Sequence, residues 1–199
     1  LQSLSSMIPP IVLNPQSNTD ILDMAAAPGG KTLAMAEKME NKGRILAFDI
    51  YAHKLDLMQM QAKRLGLRII ETGQQDGTVF NEIYMELADK VLVDGPCSGL
   101  GVLRRKPEIK HRPVLEDVAE LAEKQLAILE NACRYVKPGG DLLYSTCTIN
   151  KRENNDVSRT FLQKHPEYEM KVERQLFPGV DDADGFYICK MHRKLLKGE

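Results

Sequence analysis

The strongest constraint on this chain is the alternation of short apolar runs with longer amphipathic segments. Short β-branched runs bounded by glycine or acidic residues indicate buried strands, and apolar residues at steps of three and four indicate helices. Strands that alternate with helices assemble into a parallel sheet that the helices cover on both faces. The pattern therefore predicts an α/β chain with a mostly parallel central sheet.

The predicted elements run through almost the whole sequence. Strands are expected at residues 21–23, 44–49, 68–71, 90–94, 141–145, 168–172 and 186–191. Helices are expected at 31–39 and 54–65, along an apolar stripe from Leu115 to Val136, and at 150–164. Lys137-Pro138-Gly139-Gly140 should end the long helix, and Asn150 with Glu153 should form a capping box for the next one. Without repeats or low-complexity segments, residues 1–199 are expected to form one domain.

Composition and charge exclude several classes of protein. The 27 basic and 28 acidic residues nearly cancel, so contact with nucleic acid must come from a local basic patch rather than from bulk charge. No apolar run approaches the roughly 20 residues of a membrane span. The four cysteines form no CxxC pair and have no histidine at zinc-ligand spacing, so we expect neither a metal site nor a disulfide framework. A start at Leu1 without a signal peptide suggests a segment of a longer, cytoplasmic protein, expected to be monomeric.

Residues with useful chemistry gather where the predicted strands end. They are Asp23, Asp49, Asp76, Asp94 with Cys97, and Ser145 with Cys147. The carboxyl ends of parallel strands meet at one edge of a sheet, and ligands of open α/β sheets bind there. This convergence predicts a ligand site at that edge.

The glycine turn after the first strand narrows the class of ligand. Gly29 to Thr32 resembles the end of a P-loop, but Ala25 stands where that motif requires glycine, which disfavours a nucleotide triphosphatase. A tight glycine turn still lets a ligand approach the backbone. Asp49, 19 residues after Gly30, can accept hydrogen bonds from ribose hydroxyls. The ligand should contain a nucleoside without needing phosphates, and S-adenosylmethionine fits that description.

Two of the four cysteines lie in polar, turn-forming loops. Cys97 and Cys147 are therefore candidate nucleophiles, whereas Cys133 and Cys189 lie in apolar segments and are expected to be small buried hydrophobes. Residues 104–112 follow Cys97 and carry five basic side chains against one acid. A charge run is often only a solvated face, but one beside the candidate site can also contact phosphates.

Three segments in order resemble the RNA cytosine-5 methyltransferases. They are residues 23–32, 94–101 and 144–148, the last followed by Glu153-Asn154. Residues 2–6, 104–110 and 184–187 are also similar to the bacterial RsmB (Sun/Fmu) type, which acts on small-subunit ribosomal RNA. The resemblance spans nearly the whole chain. It departs at Ala25, where the family usually has cysteine, and at Gly95, where it usually has alanine.

The resemblance implies a Rossmann-like class I methyltransferase fold that uses S-adenosylmethionine to methylate carbon 5 of a cytosine in RNA. Cys147 would be the nucleophile that adds to carbon 6, Asp94 would hold the base, and Cys97 would assist release of the product. Lys31 would help to place Asp94. The implied cofactor-binding residues are Ala26, Ala27, Pro28, Gly29, Gly30, Lys31, Asp49, Asp76 and Asp94. The implied RNA-binding residues are Arg104, Arg105, Lys106 and Lys110.

Alternatives remain at this point. Relatives of full length carry an N-terminal RNA-binding domain to which nothing here corresponds, so the chain could be a cofactor-binding module that is inactive alone. A tRNA-directed cytosine-5 methyltransferase is a further alternative. Amino-group methyltransferases typically show an Asn/Asp-Pro-Pro-aromatic loop, which Asp94-Gly95-Pro96-Cys97 does not match. We expect a methyltransferase domain for ribosomal RNA that binds its cofactor but methylates RNA poorly alone.

Overall fold

The computed structural model describes residues 4–111 and 115–195, which form a seven-stranded sheet with helices on both faces. The strands are β1 (Thr19–Asp23), β2 (Gly43–Asp49), β3 (Ile70–Gln74), β4 (Ala88–Asp94), β5 (Val136–Thr146), β6 (Tyr168–Leu176) and β7 (Phe186–Arg193). The helices are α1 (Leu4–Leu13), α2 (Gly30–Lys38), α3 (Ala52–Arg64), α4 (Leu115–Ala132) and α5 (Asn155–Lys164).

The strand order is β3-β2-β1-β4-β5-β7-β6. Every neighbouring pair from β3 to β5 is parallel, and β7 runs antiparallel to both β5 and β6. The prediction of a mostly parallel sheet is thereby confirmed. The order reverses at β1, which pairs with β2 on one side and β4 on the other. A reversal of this kind opens a crevice beyond the carboxyl ends of the two central strands.

Apolar residues on the two faces of the sheet belong to separate clusters. Neighbouring strand residues alternate between them, as Ile21 and Leu22 do in β1. Helices α1 and α2 pack with the cluster of Ile21, and α4 and α5 pack with that of Leu22. Because both faces are covered, the central strands read as near-continuous apolar runs.

Several predicted boundaries were wrong. The apolar stripe to Val136 is not one helix, because α4 ends at Ala132 and a 3₁₀ turn covers Cys133–Tyr135. The Lys137–Gly140 segment then lies inside β5, which begins at Val136. The third strand starts at Ile70 rather than at residue 68. Helix α1 was not predicted, and Pro9 and Pro10 lie within it.

The predicted capping box is also absent. The side chain of Asn150 caps a short 3₁₀ turn by accepting a hydrogen bond from the backbone N–H of Arg152. Glu153 does not return to Asn150, because its carboxyl group points instead into the core, where it binds Ser98. Helix α5 begins only at Asn155.

Two features are absent from the described residues. Across 4–111 and 115–195, no helix has both the length and the apolar character needed to cross a membrane. The same part of the chain contains no group of three or more His, Cys, Asp or Glu side chains arranged to hold a metal ion.

Candidate active site

The glycine turn between β1 and α2 lies against α3. Gly29 has a φ of 102°, a conformation that residues with a side chain rarely adopt. A Cβ atom at this position would also lie 2.5 Å from Cγ of Met58. The turn therefore requires glycine for both its backbone angle and its packing, and its neighbours Ala27, Pro28 and Gly30 line a cleft at the carboxyl edge of the sheet.

Asp49 at the end of β2 is fixed by backbone donors. Its carboxylate accepts hydrogen bonds from the N–H of Ala27 at 3.2 Å and from that of Tyr51 at 3.0 Å. These bonds join the glycine turn to the loop after β2. The carboxylate remains half-buried and lines the crevice, where it can accept further hydrogen bonds from hydroxyl groups.

Two clefts meet at the carboxyl edge of the sheet. The first, of about 360 Å³, is lined by residues that include Ala25, Ala27, Asp49, Asp76, Asp94, Cys97, Lys124 and Cys147. The second, of about 420 Å³, is lined by residues that include Ala25, Pro28, Lys31, Asp94, Arg105, Lys106, Cys147 and Asp184. Asp94 and Cys147 line both clefts, so ligands bound in the two would meet at these side chains.

Asp76 lies at the far end of the first cleft and is exposed. The backbone N–H and the hydroxyl group of Thr78 both donate to its Oδ1, at 2.9 and 2.7 Å. These hydrogen bonds lower the pKa of Asp76 below its ordinary value, and Lys124 adds to the effect. Asp76 is therefore a carboxylate with one oxygen left for a ligand.

Asp94 ends β4 and is held on both oxygens. The ammonium group of Lys31 lies 2.5 Å from Oδ2, and the hydroxyl group of Ser145 donates to Oδ1 at 2.7 Å. Burial acts to lower the pKa of Lys31, but the charges of Asp94 and Asp23 outweigh burial and raise it. Lys31 is therefore a protonated cation at the edge of the crevice.

Cys97 and Cys147 are in direct contact, with their Sγ atoms 3.2 Å apart. The hydrogen bond from Cys97 lowers the pKa of Cys147 against the effect of burial, and Lys31 and Lys106 contribute in the same direction. The pKa of Cys97 is raised well above its ordinary value by the same hydrogen bond and by burial. Cys147 is thus the thiol that ionises more easily, and Cys97 stays protonated and donates a hydrogen bond to the sulfur of Cys147.

The other two cysteines are buried away from the clefts, as predicted. Burial raises the pKa of both Cys133 and Cys189 to about 12. Neither thiol is available as a nucleophile near neutral pH.

The residues of the predicted basic segment have different surroundings in the structure. Arg104 and Lys106 are exposed, and Lys106 lines the second cleft. Arg105 instead forms an ion pair with the buried Asp184, with Nε and Oδ2 3.0 Å apart. The side chain of Lys110 lies outside the described part of the structure.

Beside Cys147, the backbones of Gly101 and Gly185 cross in direct contact and close the site. The N–H of Gly101 donates to the carbonyl of Cys147 at 3.0 Å, and the N–H of Gly185 donates to the carbonyl of Gly101 at 2.9 Å. A Cβ atom on Gly101 would lie 2.0 Å from the Gly185 carbonyl oxygen. Sequence reasoning did not assign a role to either glycine, because the contact joins segments that are distant in the chain.

The sheet order, the antiparallel β7, the glycine turn and the acids at the ends of β2 and β4 define a class I S-adenosylmethionine-dependent methyltransferase. A family model described as "16S rRNA methyltransferase RsmB/F" matches residues 10–192. The chain belongs to this family.

Individual relatives agree with this assignment. The chain is 41% identical over 212 aligned positions to a probable ribosomal RNA small subunit methyltransferase B of Bacillus subtilis, covering 98% of this chain and 47% of that protein. It is 33% identical to the ribosomal RNA small subunit methyltransferase F of Citrobacter koseri, covering 97% of this chain and 44% of that protein. The chain thus spans about half the length of these relatives.

A solved structure is also similar. The crystal structure of NSun6 from Pyrococcus horikoshii, determined with SFG, superposes with a TM-score of 0.89 at 32% identity. The match covers 96% of this chain and 52% of that one. SFG is an analogue of S-adenosylmethionine, so the similarity extends to a protein of this fold that holds such a ligand.

Proposed function

We propose that the chain transfers a methyl group from S-adenosylmethionine to carbon 5 of a cytosine in small-subunit ribosomal RNA. The observation that carries this proposal is the meeting of two clefts at Asp94 and Cys147, with a second thiol 3.2 Å from Cys147. A cofactor in the first cleft and a base in the second would meet beside a polarised thiol.

The residues of the first cleft fit the cofactor. Gly29 provides a turn that a side chain would fill, and the Asp49 carboxylate is fixed with capacity left for ribose hydroxyls. The backbone of Ala26, Ala27, Pro28, Gly29, Gly30 and Lys31 would hold the methionine part where the first cleft joins the second, because Ala27 lines both clefts and most of the others line the second. Asp76 would accept from the adenine amino group, and Asp94 closes the inner end of the cleft. The bound cofactor would supply an electrophilic methyl group.

The chemistry of the chain's own residues begins at Cys147. Its thiolate would add to carbon 6 of cytosine, forming an S–C bond while the electrons of the ring double bond move towards the ring nitrogen. Carbon 5 thereby becomes nucleophilic. Asp94 would hold the nitrogen and amino edge of the base, with the Lys31 ammonium beside it to stabilise the developing charge.

Cys97 would act in the step that releases the methylated base from Cys147. After carbon 5 is methylated, its proton passes to solvent water, the electrons of that C–H bond re-form the ring double bond, and the S–C bond breaks with its electron pair returning to the sulfur of Cys147. The Cys97 thiol, whose raised pKa keeps it protonated, lies in contact with that sulfur and would assist its departure. The two thiols thus have separate roles.

The second cleft would receive the RNA. Arg104, Lys106 and Lys110 are proposed to contact phosphates, whereas the ion pair of Arg105 with Asp184 assigns Arg105 mainly to shaping the cleft. The target base must leave its stack to reach Cys147, so an open or single-stranded segment is the expected substrate. Residues 1–199 would act as a single catalytic domain, monomeric and cytoplasmic, that binds the cofactor but turns RNA over slowly alone.

The test is a denaturing gel after Cys97→Ala protein is mixed with S-adenosylmethionine and unmodified small-subunit ribosomal RNA. Calorimetry first verifies cofactor binding. We expect a slowly migrating covalent adduct, because the release step is impaired, and its absence when Cys147 is also changed to Ala. Cys133→Ala is the control for a buried thiol and should accumulate no adduct.

Each other outcome identifies an alternative. An adduct that survives loss of Cys147 contradicts the assignment of the nucleophile. Cofactor binding without any adduct favours the inactive module, and an adduct with unmodified tRNA but not with ribosomal RNA favours the tRNA-directed enzyme.

A further inference from the structure

We propose that Glu153 is a positioning residue that joins the two cysteine loops and thereby sets the contact between Cys97 and Cys147. The inference rests on the proposed function, in which these thiols are the reacting groups. Glu153 itself lines neither of the two clefts.

The carboxyl group of Glu153 is fully buried and lies between the residues that follow the two thiols. Its Oε1 accepts from the backbone N–H of Ser98 at 2.8 Å, and its Oε2 accepts from the Ser98 hydroxyl group at 2.6 Å. The hydroxyl group of Thr148 lies 3.4 Å from the same Oε2. Since Ser98 follows Cys97 and Thr148 follows Cys147, one carboxyl group connects both loops.

Glu153 is itself held in place from two directions. The hydroxyl group of Tyr144 in β5 donates to its backbone carbonyl at 2.6 Å. The Gln125 amide in α4 donates to its Oε1 at 3.2 Å and also to the carbonyl of Pro96 at 2.8 Å. Pro96 precedes Cys97 and Ser98 follows it, so hydrogen bonds hold the Cys97 loop on both sides of the thiol.

The cost of this arrangement indicates a role beyond packing. Burying an ionised carboxyl group is unfavourable unless it is both hydrogen-bonded and paired with an opposite charge. Among the described residues, the partners of the Glu153 carboxyl group are all neutral donors. These hydrogen bonds join two loops that follow different strands, β4 and β5.

Loss of the carboxyl group should loosen the loops while leaving the sheet intact. The strands that carry the loops remain paired through the register of Asp94 with Ser145. Beyond the strands, the contacts that the described residues keep between the loops are few: Ser98 with Thr148 at 2.8 Å, two backbone hydrogen bonds from Gly95 and Gly101, and the thiol contact itself. The effect of a substitution should therefore concentrate on the separation of the two thiols.

The experiment measures that separation without RNA or cofactor. Diamide accepts two electrons and two protons as the Cys97 and Cys147 thiols join in a disulfide, which peptide mapping by mass spectrometry identifies. We expect rapid closure in the unsubstituted protein and roughly tenfold slower closure in Glu153→Ala, because the rate depends on the relative orientation of the thiols. Glu153→Gln should remain within about threefold of the unsubstituted protein, because its amide oxygen can accept from Ser98 and its amide nitrogen can donate to a hydroxyl group.

A second readout is the pH dependence of Cys147 alkylation by iodoacetamide. In Glu153→Ala the midpoint should rise, because Cys97 no longer donates steadily to Cys147. Asp141→Asn is the matched control, since Asp141 lies midway along β5, binds Lys90, Lys190 and His192, and lines neither cleft. It should lower stability in urea yet leave both thiol measurements unchanged.

The proposal is overturned if folded Glu153→Ala closes the disulfide and alkylates as the unsubstituted protein does. Should Glu153→Ala fail to fold, Ser98→Ala is the deciding variant. It removes the hydroxyl group that donates to Oε2 of Glu153 and should slow closure of the disulfide. Unchanged closure would overturn the proposal. Since neither measurement involves methyl transfer, failure of the ribosomal RNA assay would be distinguishable from failure of this inference.

Discussion

Asp23 shows how burial alters a single carboxyl group at the edge of the clefts. It is 1% exposed at the end of β1, and desolvation raises its pKa to about 7 despite the hydrogen bond that Thr32 donates to it. Nearby Asp94 raises the value further, while Lys31 lowers it. The folded protein therefore binds a proton here over a pH range in which the unfolded chain does not.

This proton makes stability depend on pH in a defined direction. The folded pKa lies above the value of 3.8 that is ordinary for aspartate, so the stabilisation is fully present at pH 3.8 and below and is lost as pH rises to 7. We expect the protein to lose about 4 kcal/mol relative to Asp23→Asn across this window, at 1.36 kcal/mol per pKa unit. Urea unfolding of both proteins at a series of pH values measures the difference, and parallel stability curves would contradict the assignment.

At the scale of residues, much of the site was predictable. Asp49, Asp94, Cys97 and Cys147 follow apolar strands, and parallel pairing alone brings strand ends together. The role of Glu153 was not predictable, since its spacing from Asn150 matches a local cap while its actual partner Ser98 is 55 residues away. Spacing in sequence reports only local partners, and this carboxyl group has distant ones.

At the scale of elements, the tightest constraint is the crossing of Gly101 and Gly185. Gly101→Ala would place Cβ 2.0 Å from a backbone oxygen that cannot turn aside. Overpacking of this kind costs about 3 kcal/mol, so the free energy of unfolding in urea should fall by that amount. The segments around Cys147 should also become sensitive to limited proteolysis.

Gly95→Ala is the matched control. A Cβ atom there would lie 3.5 Å from the side chains of Gln125 and Tyr144, which is ordinary van der Waals contact. Its stability should stay within about 1 kcal/mol of the unsubstituted protein, with a gain expected from the stiffer unfolded chain. Equal losses at Gly95 and Gly101 would show that the crossing imposes no special constraint.

Two elements, helix α1 and the first half of β5, were not predicted from the sequence. Pro9 and Pro10 argue against a helix because proline lacks a backbone donor, yet α1 forms around them, and both residues are buried. Similarly, Pro138 and the two following glycines read as a helix stop, although β5 passes through them. In both cases tertiary packing outweighs local propensity. The pattern of a single sequence does not record that packing.

At the scale of the whole molecule, a bound cofactor should stabilise the fold. With S-adenosylmethionine at 100 times its dissociation constant, the free energy of unfolding should rise by about 2.7 kcal/mol. For a chain of this size, the melting temperature should then rise by about 5–10 °C. Differential scanning calorimetry with and without the ligand measures the shift.

Two variants separate specific binding from general salt or ligand effects. Asp49→Ala should lose the shift, because this carboxylate is the proposed acceptor for the ribose hydroxyls. Asp141→Asn should keep it, since Asp141 lies midway along β5 and lines neither cleft. A shift that survives Asp49→Ala would place the cofactor elsewhere.

The whole-molecule architecture was predictable in class but not in order. Alternating strands and helices indicate a parallel sheet, and the five strands from β3 to β5 in the sheet order run parallel to one another. The insertion of β7 between β5 and β6 depends on contacts across the sheet that leave no local signal. Apolar runs report that a strand is buried, whereas its neighbours are set by the packing of the complete fold.

The position of β7 has a consequence for biosynthesis. Residues 186–193 follow every other described element, yet they lie in the interior of the sheet, and Asp184 and Gly185 just before them close the cleft at Arg105 and Gly101. A ribosome releases the amino-terminal part of a chain first. Both thiol loops therefore leave the exit tunnel before the strand that completes their surroundings. The surroundings of the two thiols are therefore completed only once residues 184–193 have been synthesised, although both thiols are already present in the nascent chain.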